Sequence, residues 1–255
     1  MNRRVLSALL GVVGAVATVA IWWLATENSA SVYFPPLSRI LETAQEHWLS
    51  AEGRADIASS IGNLLSGLVI GVVVGIVVGV ALGQVPLLHR ALSPSIEFVR
   101  AIPATALLPF AMMLFGLGTE MKVFLIALGC VWPVLLNALD GTRSLEPTLR
   151  DTASVYGITG VRRQLNVVLP AAAPRIASGI RVAIPLSLIL TVTSEMVGSH
   201  QGIGFVIVDA QNTFRITDMW SGVLLLGVLG FALTWLFGVA EKLLLPWEKR
   251  AERAR

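Results

Sequence analysis

The chain has 255 residues, 55% of them hydrophobic and only 14% charged, with a formal net charge of +3. Together with a mean hydropathy of +0.76, that apolar share exceeds what a soluble domain carries and points to a membrane protein, while so small a charge gives no footprint for nucleic-acid binding. A single cysteine, Cys130, excludes an intramolecular disulfide and a paired-cysteine metal site.

Arg3-Arg4 and an apolar run over 5–25 precede Asn28-Ser29-Ala30, the outline of a secretory leader. A leader's apolar region is about 7 to 15 residues long, whereas at helical rise this run reaches about 30 Å, enough to cross the hydrocarbon core. It is read as a retained first span. Residues 27–60 then carry Pro35-Pro36 and a polar helical pattern with Leu37, Ile40, Leu41, Ala44 and Trp48 on one stripe, which predicts a short helix at the outer surface.

Further apolar segments at 61–83, 95–116, 121–139, 177–198 and 219–240 make six spans within one transmembrane domain over 1–255. An unpaired backbone amide in hydrocarbon costs several kcal/mol, so the spans are expected to be helices and the fold all-α. The second carries glycine at 67, 71, 75, 79 and 83, a four-residue repeat that lines one helix face and lets another helix approach closely. The third holds Glu97, Arg100, Pro103 and Pro109, so a kinked helix starting near the cytoplasmic surface is expected. With the N-terminus inside, only Arg39, Arg54, Lys122 and Arg215 of the 19 basic residues fall outside. That bias places both termini in the cytoplasm of a multi-pass inner-membrane protein.

The longest cytoplasmic connection, 140–174, is unlike a plain loop. Glu146-Pro147 suits a helix start, 149–156 reads as a short helix, Gly157 is a natural stop, and a second short stretch over 161–168 precedes Leu169-Pro170. Val155, Tyr156, Ile158 and Val161 become exposed apolar groups unless the element docks into something.

At these residues the chain resembles the permeases of binding-protein-dependent ATP-binding-cassette importers. Their cytoplasmic signature reads Glu-Ala-Ala, three residues, Gly, nine residues, Ile-x-Leu-Pro. Here Asp151-Thr152-Ala153, Gly157 and Val167-Val168-Leu169-Pro170 keep the full spacing, with Asp151 for Glu and Thr152 for Ala as mild departures. Arg100-Ala101-Ile102-Pro103 before Leu108-Pro109, Phe115-Gly116-Leu117-Gly118, Pro133 to Asn137, Gly179-Ile180-Arg181 and Ser194-Glu195 with Gly202-Ile203-Gly204 are similar to the subfamily that imports aliphatic sulfonates, taurine, nitrate or pyrimidine-type vitamin precursors. The resemblance implies a six-helix type I ABC importer permease working as a homodimer with two cytoplasmic ATPases and one extracytoplasmic binding protein. It makes the segment from Asp151 through Val155, Tyr156, Gly157, Ile158 and Val161 to Leu169 and Pro170 the coupling element that sits in a groove of the ATPase. It also implies a small solute, an organic sulfonate, nitrate or similar anion, with a pyrimidine- or flavin-type vitamin precursor as the alternative.

No enzyme is expected in this chain. A phosphate loop ends in Gly-Lys-Ser or Gly-Lys-Thr, and none of Lys122, Lys242 and Lys249 follows a glycine, so ATP and Mg belong to the partner ATPase. His47, His89 and His200 are scattered without metal-ligand spacing, and no cofactor is expected. Of the two remaining alternatives, an ion-coupled secondary transporter calls for internal repeats and paired intramembrane carboxylates, and an intramembrane hydrolase for a serine with His or Lys, or paired aspartates, at membrane depth; the sequence supplies neither set. Glu195 shares a helix face with Ser187, Thr191 and Ser194 in the fifth span. Two readings stay open for this stripe: a lining of the translocation path or its outer gate, or interhelical hydrogen bonds that fix the span within the bundle.

Overall fold

A computed structural model describes residues 3–29 and 31–246 of the chain. Helix α1 covers Arg3–Thr26, α2 Leu37–Trp48 and α3 Ala51–Gln84. Ser50 starts α3 as its N-cap, the hydroxyl accepting from the Gly53 amide at 3.0 Å, so the helix begins ten residues ahead of its apolar stretch. Helices α4 (Pro86–Ala101) and α5 (Leu108–Phe115) follow, joined through a 3₁₀ turn over Ala104–Leu107, and then α6, Thr119–Arg143. Helices α7 (Pro147–Val155) and α8 (Gly160–Arg163) form the next connection, followed by α9 (Leu169–Gly198), α10 (Ile203–Asn212) and α11 (Ile216–Leu244).

The bundle is organised around α6. The glycine repeat of α3 faces it along five turns: a Cβ at Gly71 would stand 2.8 Å from the Ala127 carbonyl oxygen, and at Gly79 2.4 Å from that of Leu135. Real Cβ contacts do not come so near, so each of these positions admits only hydrogen. On the other side of α6, Gly179 of α9 sits where a Cβ would be 2.8 Å from the Pro133 carbonyl oxygen. Ile126, Cys130, Val134, Ala183 and Leu190 fill the space between the three helices. At the end of the bundle opposite the α7–α8 loop, Trp48 of α2 packs with Ile203, Val206 and Ile207 of α10, and its Nε1 donates to Ser221 Oγ of α11 at 3.1 Å. Leu37 and Ile40 of the predicted α2 stripe are buried with Trp48, whereas Leu41 is exposed.

Two segments depart from simple spans. The expected third span, 95–116, is two helices bent by 79°. Pro103 drives the break by excluding the α conformation from Ile102, which sits at φ −77° and ψ 118°. Conversely, Leu169-Pro170 does not separate two elements: α8, a π-helical turn over Gln164–Val168 and α9 form one rod over Gly160–Gly198. Proline inside an α-helix loses one hydrogen bond and clashes with the carbonyl four residues back. The wider π turn immediately before Pro170 supplies the room, so the rod continues. Among the described residues, five helices have the length and apolarity to cross a membrane, and the bent pair makes a sixth. The C-terminal basic residues Lys249, Arg250, Arg253 and Arg255 lie outside the described residues.

Candidate functional site

The loop between α6 and α9, expected to be cytoplasmic, is built around the cap of α7. Pro147 occupies its first turn, where the missing amide has no partner to lose. At the other end Gly157 takes φ +67°. Its amide donates to the Ser154 carbonyl at 3.0 Å and the Ile158 amide to that of Ala153 at 2.9 Å, the paired bonds of a glycine-terminated Schellman cap. The cap turns Ile158 back toward buried Ala153, so Ile158 is half-buried and not exposed as expected. Val155, Tyr156 and Val161 do project, at 85%, 77% and 73% exposure. Asp151 and Thr152 are exposed on α7, the Thr152 hydroxyl donating to the Thr148 carbonyl at 2.7 Å. Leu169 and Pro170 are half-buried at the start of α9 and stand apart from the projecting group. The loop is tied to the bundle by Arg150, whose Nη2 donates to the Thr142 carbonyl at 3.0 Å. Gln84 at the end of α3 and Gln164 in the π turn exchange amide hydrogen bonds of 2.8 and 2.6 Å.

The Glu195 stripe faces into the bundle. Ser187, Thr191, Ser194 and Glu195 are all buried, and the three hydroxyls donate to carbonyls of their own helix, those of Ile184, Ser187 and Thr191. Glu195 is 0% exposed. Its Oε2 accepts from Ser60 Oγ at 2.9 Å and from the Gly204 amide at 3.0 Å, while Ser60 Oγ accepts from the Ile203 amide at 2.9 Å. The Gly202 amide donates to Asp56 Oδ1 at 2.8 Å. Three amides opening α10 are thus held by side chains of α3 and α9, satisfying donors that a helix start leaves free. Gly202 has φ +118°, and a Cβ there would stand 2.5 Å from the Glu195 carboxyl carbon. No side chain fits either the conformation or the space.

Sequence reasoning missed the partners in this cluster. Asp56, Ser60 and Asn63 stand at positions i, i+4 and i+7 on one face of α3, a spacing that carries the signal, but Asp56 and Ser60 precede the apolar window at 61–83. Lys122, counted as an outer basic residue, is only 6% exposed and donates to Ser199 Oγ at 2.7 Å. Asn63 and Lys122 both lie near Glu195, with Asn63 Nδ2 buried outside hydrogen-bond geometry.

This all-helical arrangement, with its bundle around α6 and its capped loop between α6 and α9, is the fold of an importer permease. It is similar to a chain of the MetNI methionine ABC transporter in inward-facing conformations, with a TM-score of 0.62, 20% identity, and coverage of 72% of this chain and 92% of that one. A second crystal form of the same transporter gives 0.58 over 81% of this chain. Residues 71–249 match the family of the binding-protein-dependent transport system inner membrane component, and the chain belongs to that family. Its relatives include a Bacillus subtilis protein assigned as the aliphatic sulfonates transport permease SsuC, 31% identical over 63% of this chain. The taurine transport system permease protein TauC of Escherichia coli is 28% identical over 97%, and the nitrate import permease protein NrtB of Synechocystis 29% over 66%. The chain spans 58% of the length of SsuC but 91% of TauC. The family is a transport component of the inner membrane and not a catalyst.

Proposed function

We propose that the chain is half of the translocation path of an ATP-driven importer for a small oxyanion of the sulfonate, taurine or nitrate kind, assembled as a homodimer. Cytoplasmic ATPase subunits, which bind the ATP and Mg, sit on the α7–α8 loop, a binding protein delivers solute at the outer face, and both termini are cytoplasmic. One observation carries the reading: Val155 and Tyr156 project from the capped end of α7, and Val161 from α8 just beyond it, at one end of a bundle of apolar helices. Such a cluster is unfavourable in water and suits a groove in a second protein. The relatives' solutes support the substrate class, and the basic asymmetry supports the orientation. Within the stripe at Ser187, Thr191, Ser194 and Glu195, the buried bonds of Glu195 to α3 and α10 favour a bracing role for that carboxylate over a lining of the path, while the three hydroxyls bond within α9 and favour neither reading.

Replacing both Val155 and Tyr156 by serine tests the docking. The variant is expected to reach the membrane in normal amount and to retain less than a tenth of the co-purified ATPase. Full retention rejects the assignment. Uptake of taurine, an alkanesulfonate and nitrate by a strain carrying the intact transporter tests the substrate class, and uptake of a vitamin precursor alone rejects it.

A further inference from the structure

A second cluster lies where the cytoplasmic loop meets the bundle. Gln84 of α3, Thr142 and Leu145 at the end of α6, Arg150 of α7, Arg163 of α8 and Val168 enclose a cavity of about 90 Å³. At about 30 Å³ for a water molecule's share of liquid volume, that is room for roughly three waters or one tetrahedral oxyanion. Its polar wall sets two guanidiniums beside the Gln84 and Thr142 side chains. Both arginines are half-buried, and among the described residues neither is in an ion pair. Arg150 uses one guanidinium nitrogen on the Thr142 carbonyl, and the Nε of Arg163 is buried with no hydrogen-bond partner. A buried guanidinium N–H without an acceptor is unfavourable, and two guanidiniums beside one small cavity repel each other unless an anion lies between them. Arginine's planar fork fits phosphate-type oxygens better than it fits water.

We propose that this cavity binds a phosphate-type oxyanion, supplied either by an anionic phospholipid headgroup or by free phosphate, which braces the loop against the ends of α3 and α6. Both sources lie within reach, because the cavity sits at the cytoplasmic ends of three helices, where the inner leaflet presents its headgroups. The Gln84–Gln164 amide pair closes the neighbouring wall, so an anion there couples the π turn of the α8–α9 rod to α7 through Arg163 and Arg150. The site is separate from the projecting Val155 and Tyr156, and its occupancy sets the stiffness of the loop that carries them.

The test uses the full-length chain in maltoside micelles, with no ATPase needed. Thermal unfolding and hydrogen exchange over 140–168 are measured in chloride, in inorganic phosphate at the same ionic strength, and with added phosphatidylglycerol or, as its control, phosphatidylcholine. Phosphate or phosphatidylglycerol is expected to raise the midpoint by about 2 °C or more and to slow exchange in the loop. A response to inorganic phosphate identifies the free ion as sufficient, and a response to phosphatidylglycerol alone identifies the headgroup. Arg163→Gln is expected to abolish the increment and Arg163→Lys to keep part of it. Arg162→Gln, on the exposed neighbouring residue, is expected to keep all of it. An unresponsive wild-type chain overturns the site. So does an equal loss in the Arg162 and Arg163 variants, which reduces the effect to surface charge. None of these readouts depends on transport, so the site can fail while the importer reading stands.

Discussion

At the scale of single residues, two of the four positive-φ glycines among the described residues, Gly157 and Gly202, do different work. Gly157 has open space around it, so a side chain there is opposed by the backbone conformation alone, at about 1–2 kcal/mol. Gly157→Val is therefore expected to unwind the end of α7 and swing Val155 and Tyr156 away while the spans remain inserted. Uptake should be lost with permease abundance unchanged, and normal uptake would remove the coupling role from this loop. Gly202 is opposed by both conformation and space, because Glu195 occupies the position a Cβ needs. Glu195 in turn is the acceptor for Ser60 and for the Gly204 amide. Glu195→Ala leaves these buried donors unmade at about 1–3 kcal/mol each, whereas Glu195→Gln keeps a carbonyl oxygen for them. The alanine variant should unfold at a distinctly lower temperature and the glutamine variant near the wild type. A stable alanine variant that fails only in transport would instead make Glu195 part of the path.

At the scale of elements, the seam between α3 and α6 was legible because a four-residue glycine repeat has one physical use in a membrane helix, the close approach of a neighbour. Gly75 shows its strictness: a Cβ would lie 2.9 Å from both the Val131 carbonyl oxygen and the Val134 Cβ. Gly75→Leu should force the two helices apart and abolish accumulation of folded protein, while Gly62→Leu, with nothing within 4 Å, should be tolerated. Measuring the monodisperse fraction of each variant in detergent extracts decides it, and equal yields would mean that the seam is looser than its geometry. The α8–α9 rod was not legible, because a proline in sequence reads as a stop, and the π turn that accommodates Pro170 leaves no compositional mark. The Glu195 cluster was half legible. The stripe on α9 follows from helical spacing, but Ser60 and Asp56 lie in the polar opening turns of α3, which an apolar window passes over. The burial of Lys122 was not legible for the related reason that a basic residue near a span end is ordinarily solvated, whereas here it is covered and donates to half-buried Ser199.

At the scale of the whole molecule, the 79° break between α4 and α5 constrains what lies beside the chain. Irregular backbone at membrane depth is tolerated where protein covers it or water reaches it, and is not tolerated against lipid. Ala101, Ile102, Pro103, Thr105 and Ala106 are exposed on the single chain, next to a recess of about 390 Å³ bordered by Trp132, Pro133 and Ile189. In the proposed homodimer that face is expected to meet the second copy or the aqueous path between copies. Helix α11 makes the contrasting case, since its regular backbone needs no cover and Phe231 projects outward at 74% exposure. In a Cys130→Ala background, Thr105→Cys should react with a charged, membrane-impermeant thiol reagent in intact assemblies, and Phe231→Cys should not. Cross-linking through Thr105→Cys should yield a species of twice the chain mass. An inert Thr105→Cys beside a reactive Phe231→Cys would turn the molecule around in the assembly, leaving the broken helix against lipid and removing the reason to place the path at this face.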